Sequence, residues 1–143
     1  MELTVCCPVF PTEDKQLVET ALANLFLIQE SEEQETETYI ELKTIWNEPS
    51  SLSSIRQRIH ELRIIDVVRK RLVSNWDDLN AMTHLCFEKQ AASVDKLRVV
   101  DDGQENPPLG FIKIAIKFQN TSEFENFLDW FTPRISSGQV ADY

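Results

Sequence analysis

The chain has 143 residues, of which 42% are hydrophobic and 27% charged, and it carries a formal net charge of -10. That length buries enough apolar surface for one domain, residues 1–143, to fold without disulfides or metal, and these proportions exclude disordered and fibrous classes. No apolar run approaches the ~20 residues that span a bilayer, and Met1 to Phe10 has neither the basic region nor the apolar core of a secretory signal, so a cytoplasmic protein is expected.

Met1 to Phe10 alternates Leu3, Val5, Cys7 and Val9 against Glu2, Thr4 and Cys6, the period of a strand with one buried face. Pro8, which has no amide hydrogen, means that the pairing there is either finished or at an edge. Thr12 is a natural cap for a helix from about Glu13 to Phe26, where Leu17, Val18, Ala21, Leu22 and Leu25 recur at helical spacing. Gln29 to Glu37 reads as a solvated acidic linker, since no central glycine supports a calcium loop. Thr38 to Trp46 alternates again and predicts a second strand.

Pro49-Ser50-Ser51 breaks the chain ahead of the longest helical stretch, Leu52 to Asn75, read as one helix or as two with a bend. Ile55, Ile59, Leu62 and Val73 share one arc and Ile65, Val68 and Leu72 an adjoining one, so protein covers much of its circumference. Strands are predicted from Ala81 through Gln90, from Val94 to Asp101 and from Phe111 to Phe118, with a turn through Gly103 and Pro107-Pro108. Thr121 or Ser122 caps a last helix, Glu123 to Phe131, and a loose polar tail begins at about Arg134. The elements run β-α-β-α-β-β-β-α. They predict an α+β fold, a mixed, largely antiparallel sheet of about five strands with helices packed mainly on one face.

Charge is unevenly spread. Residues 1–50 carry a net -9, residues 76–143 a net -5, and residues 51–75 a net +4. Within that basic segment Arg56, Arg63 and Lys70 fall seven apart beside Arg71, a spacing that tracks a phosphate backbone or supplies ion partners to acidic loops, with Asp66 in helical reach of Arg69 and Lys70. Val67 interrupts the stripe and points to a partner element there. Only three glycines are present, so a nucleotide-cradling loop is excluded. His84 and Cys86 share a strand face and Cys6 is placed to approach across the sheet. Without a CxxC or His-x-x-x-His pair, however, the histidines and cysteines read as ordinary core and surface residues, and neither cofactor, metal nor catalytic residue is assigned.

The ordered segments "CCPVFPTED", "NLF", "IIDVVRKRL", "FEKQAA", "PLGFIKI" and "DWFTPRISSG" resemble an uncharacterised archaeal family catalogued as RNA-binding. The resemblance implies a fold related to the large-subunit ribosomal protein that binds five-S rRNA. It places recurring polar residues at Thr12, Glu13, Arg69, Lys89, Gln90 and Arg134, none of them catalytic. RNA is therefore the expected ligand of a non-enzymatic protein, with Arg56, Arg63, Lys70, Arg71, Lys89, Gln90 and Arg134 as its contacts. The alternative is an assembly domain, a homodimer formed through the partly apolar sheet face of Tyr39, Phe111 and Ala115.

Overall fold

A computed structural model of the chain describes residues 1–26, 31–136 and 139–140. The elements are β1 (Glu2–Val9), α1 (Lys15–Phe26), β2 (Glu32–Glu35), β3 (Ile40–Trp46), α2 (Ser53–Glu61), α3 (Ile65–Ser74), β4 (Met82–Glu88), α4 (Lys89–Ser93), β5 (Val99–Val100), β6 (Phe111–Lys117), α5 (Thr121–Phe131) and a short hairpin, β7 (Ile135–Ser136) and β8 (Gln139–Val140). The first six strands form one antiparallel sheet in the order β2-β3-β1-β6-β4-β5. This is the expected α+β class.

Side-chain alternation sorts the sheet into two faces. Leu3, Val5, Cys7 and Val9 of β1, Ile112, Ile114 and Ile116 of β6, Leu85 and Phe87 of β4 and Leu42 of β3 are buried on one of them. Against these pack Val18, Ala21, Leu22 and Leu25 of α1, Ile55 and Ile59 of α2, Val68 and Leu72 of α3, and Phe124, Phe127, Leu128 and Phe131 of α5, all in a single apolar cluster. Among the described residues no helix packs on the opposite face.

Several expectations change, and for the long helical stretch the reading of two helices with a bend holds. The acidic linker is in part the edge strand β2, because Thr36 closes a tight hairpin: its hydroxyl donates to Tyr39 O at 2.8 Å and accepts from Tyr39 N at 3.0 Å. Four exposed polar residues then cap the sheet edge with charge, which blocks pairing with further strands. Gln29 and Glu30 lie outside the described residues. The long helical stretch divides at Arg63, whose φ of 58° is left-handed. Arg63 N donates to His60 O at 3.2 Å and Ile64 N to Ile59 O at 3.1 Å, the paired bonds that end a helix and turn the chain.

The strand from Ala81 stops at Glu88, and Lys89–Ser93 coils into α4 instead of extending to Gln90. The strand expected over Val94–Asp101 is reduced to Val99 and Val100, since Asp95, with a φ of 56°, ends α4 by the same pair of bonds, Asp95 N to Ala92 O and Lys96 N to Ala91 O. Caps also move. Asp14 rather than Thr12 accepts from the first turn of α1, through Gln16 N at 2.9 Å, and Asn120 rather than Thr121 or Ser122 caps α5 through Glu123 N at 2.9 Å. Of the expected loose tail, residues 135–136 pair with 139–140, and residues 137–138 and 141–143 lie outside the described residues.

Candidate functional site

The seven residues expected to contact RNA do not converge. Lys89, the first residue of α4, is only 4% exposed. Its three ammonium hydrogens go to three acceptors: Pro8 O at 2.6 Å, Leu109 O at 2.6 Å and Glu13 Oε1 at 2.9 Å, with the Phe10 ring 5.4 Å away. The same Glu13 oxygen accepts from Phe10 N at 3.0 Å. The ammonium thus ties the end of β1, the entry to α1 and the loop before β6 to the start of α4. The alanines after it let α4 lie close to α1, where Asn24 Nδ2 donates to Ala92 O at 2.9 Å. This correction answers the role of the "KQAA" segment: Lys89 is a buried clasp and offers nothing to a phosphate, while Gln90 beside it is exposed.

The basic segment is also largely absorbed by the fold. Arg56 Nε donates to Trp130 O at 2.8 Å with its guanidinium 5.3 Å from the Trp130 ring centre, and His60 Nε2 lies 3.2 Å from Phe131 O. Arg69 Nη1 donates to Thr132 O at 2.7 Å and Leu128 O at 3.3 Å, and its Nη2 lies 3.5 Å from Asp129 Oδ1 rather than beside the expected Asp66. All three side chains meet the carbonyl end of α5, where unpaired C=O groups and the helix dipole favour donors and positive charge. Arg71 pairs with Asp101 at 2.9 Å and anchors the turn between β5 and β6. Arg63, Lys70 and Arg134 are exposed, and Val67, expected to meet a partner element, is 54% exposed among the described residues. The division at Arg63 takes Arg56, Arg63 and Lys70 off a common helical line.

A different set of cations shares one surface. On the uncovered sheet face the register places Glu32, Lys43, Cys6, Lys113, Cys86 and Val100 in one row across the strands. Ile45, Thr4, Ala115 and His84 form the next row, and Glu2, Lys117 and Met82 another. Lys43, Lys113 and Lys117 form no ion pair with any described carboxylate, although Lys43 lies opposite Glu32 and Lys117 opposite Glu2. Lys113 has cysteines on both sides. Strand spacing puts the Lys43 and Lys113 backbones roughly 10 Å apart across Cys6. Sequence reading passed over these lysines, although Lys113 and Lys117 alternate with the core residues Ile112, Ile114 and Ile116, which is the signal that assigns them to the opposite face.

Three comparisons bear on this arrangement. A family model described as RNA binding matches residues 2–118, a span that contains all six strands of the sheet and stops short of α5. The UPF0201 protein of Sulfurisphaera tokodaii is 34% identical over 130 residues, covering 91% of this chain and 86% of that one. The UPF0201 protein of Metallosphaera sedula is 34% identical over 142 residues, covering 96% and 91%. Among solved structures, the UPF0201 protein from Methanococcus jannaschii superposes with a TM-score of 0.82 at 20% identity over 99% of this chain and 100% of its own, which shows a shared fold. With the family model spanning most of the sequence and relatives above 30% identity along nearly its whole length, this chain belongs to the archaeal UPF0201 family, whose model is described as RNA binding.

Proposed function

We propose that the protein binds RNA without acting on it chemically, and that the contact surface is the uncovered sheet face carrying Lys43, Lys113 and Lys117. The observation that carries this reading is the family match, which takes in the entire sheet. An open antiparallel sheet suits a single-stranded or looped RNA, since backbone phosphates meet lysines across neighbouring strands and splayed bases reach side chains such as Phe111. Of the residues expected from the sequence, Arg63, Lys70, Gln90 and Arg134 remain solvent-facing, with Arg63 and Lys70 carried by the helical layer. They make that layer the competing surface.

The test is binding of a fluorescent structured RNA at low and physiological salt to the wild type and to two double variants. Lys113→Glu with Lys117→Glu should weaken binding uniformly across RNA sequences and flatten the salt slope by roughly 1 for each lysine lost. Arg63→Glu with Lys70→Glu should leave both unchanged. The reverse pattern moves the interface to the helices, and absence of binding by the wild type even at low salt removes the reading. A second reading, self-association, is favoured by the row Ile45, Thr4 and Ala115 on the same face, where Ile45 is 51% exposed. Sedimentation of wild type and Ile45→Lys at high concentration checks it, and a strict wild-type monomer rules it out.

A further inference from the structure

We propose that His84, Cys86 and Asp102 form a binding site for one divalent transition-metal ion of the zinc class. Their ligand atoms, an imidazole nitrogen, a thiol sulfur and a carboxylate oxygen, all lie within 4.8 Å of one another, and no other group of three His, Cys, Asp or Glu does so among the described residues. Ligands at about 2.0–2.3 Å from a tetrahedral zinc stand roughly 3.3–3.8 Å apart, so a small closure completes the set.

The fold assembles the three donors from two elements. His84 and Cys86 are two apart on β4 and point to the uncovered face, with Ala115 and Lys113 as their cross-strand partners. Cys86 pairs with Val100 on β5, and continuing that antiparallel register two residues on sets Asp102 opposite His84. Alternation then sends Asp101 to the helical side, where Arg71 holds it at 2.9 Å, and Asp102 to the open side, where Oδ2 lies 2.9 Å from His84 Nε2. Asp101 further fixes the turn by accepting from Gly103 N at 3.1 Å. The Arg71 anchor therefore aims the carboxylate at the two strand ligands.

A mixed nitrogen, sulfur and oxygen donor set suits zinc and its spectroscopic substitute cobalt(II) better than magnesium or calcium, which take oxygen alone. Three protein ligands leave a fourth position for water or an incoming group. On binding, Cys86 gives its Sγ proton to solvent and the Sγ–metal bond forms. The thiolate and carboxylate together cancel the dication, so the loaded site carries no net charge in a largely buried corner of the sheet. The competing reading, a cysteine nucleophile with His84 as base and Asp102 as orienter, needs an accessible thiol in an electropositive setting. Cys86 is 1% exposed, which closes its thiol to an incoming substrate. Cys6 is two strands away, across Lys113, and cannot complete the set.

Cobalt(II) titration of the metal-free protein without oxygen is the test. A thiolate-to-cobalt charge-transfer band with tetrahedral visible bands should grow to a single equivalent and disappear on zinc addition. Cys6→Ser should keep the spectrum and Cys86→Ser should lose it. Asp102→Asn and His84→Gln alter side chains that are about a quarter exposed, at 25% and 24%, so they keep the test informative if Cys86→Ser does not fold. Each should weaken binding beyond the roughly 10–100-fold that outer partners of a metal site contribute. No band in the folded wild type, a band that survives Cys86→Ser, or binding unchanged in both Asp102→Asn and His84→Gln would overturn the assignment.

Discussion

Lys89 shows how far one side chain's role depends on its surroundings. Its sequence context, a lysine between Glu88 and Gln90 with small residues following, suits a phosphate contact, yet each of its three donors is used internally and Glu13 is the carboxylate that balances its charge. Replacing it with methionine leaves Glu13, whose side chain is 9% exposed, buried and unpaired. Lys89→Met should therefore cost roughly 3–5 kcal/mol, read from the urea midpoint at constant slope, and Glu13→Gln should recover part of it in the double variant. A loss under about 1 kcal/mol would mean that water, not Glu13, is the effective partner of this ammonium. Cys7 carries a second prediction. Burial in the core, more than any neighbouring charge, pushes its thiol from 9.0 up to about 12. Below pH 9 both folded and unfolded chains hold that proton and it has no effect on stability. Between 9 and 12 only the folded chain holds it, so stability falls with rising pH, by about 1.4 kcal/mol per pH unit from this group. Denaturation of wild type and Cys7→Ala across that window should show the shallower loss in the variant. Parallel curves would remove the thiol as the cause.

Helix α5 accounts for part of the positive segment. Its N-terminus is capped by Asn120, and its C-terminal carbonyls receive Arg56, His60 and Arg69 from α2 and α3. Of the stripe that looks like an anion-binding line along one helix, only Arg56 takes part in this; with His60 and Arg69 it holds the last helix against the two before it, while Arg63 and Lys70 stay exposed. Arg69→Ala should destabilise by roughly 1.5–3 kcal/mol, as expected for lost bonds from a charged donor, while Arg63→Ala on the exposed turn should stay within about 0.5 kcal/mol. Thermal unfolding of the two variants side by side checks this, and equal small effects would mean that the carbonyl end of α5 is satisfied by solvent. Elements with strong periodicity, β1, β6, α1 and α5, are visible in the sequence because each repeats one apolar spacing over at least seven residues. The residue at which the long helical stretch breaks, Arg63, and the edge strand β2 are not. The first uses a left-handed arginine where glycine is the usual signal, and the second is made of exposed polar residues whose pairing comes from a turn and the neighbouring strand.

Over the whole molecule the acidic excess and the local cations act at different ranges. Salt at physiological strength screens charges beyond ~8 Å, so a polyanion near the sheet experiences Lys43, Lys113 and Lys117 more than the distant acidic loops. The RNA prediction is therefore a statement about these three lysines and their salt slope, and the net charge of -10 limits affinity chiefly when salt is low. Among the described residues no helix is long and apolar enough to cross a membrane.

By itself the sequence determined the α+β class, most strand and helix positions and the family, because alternation, helical period and ordered motifs are properties of neighbouring residues. Only the tertiary structure decided what the charged and metal-ligating side chains do. The partners of Lys89, Arg56 and Arg69 lie up to 81 residues away along the chain, and Asp102 meets His84 only through the register of β4 with β5. No spacing within one segment encodes such contacts, since burial and register set them once the sheet has formed.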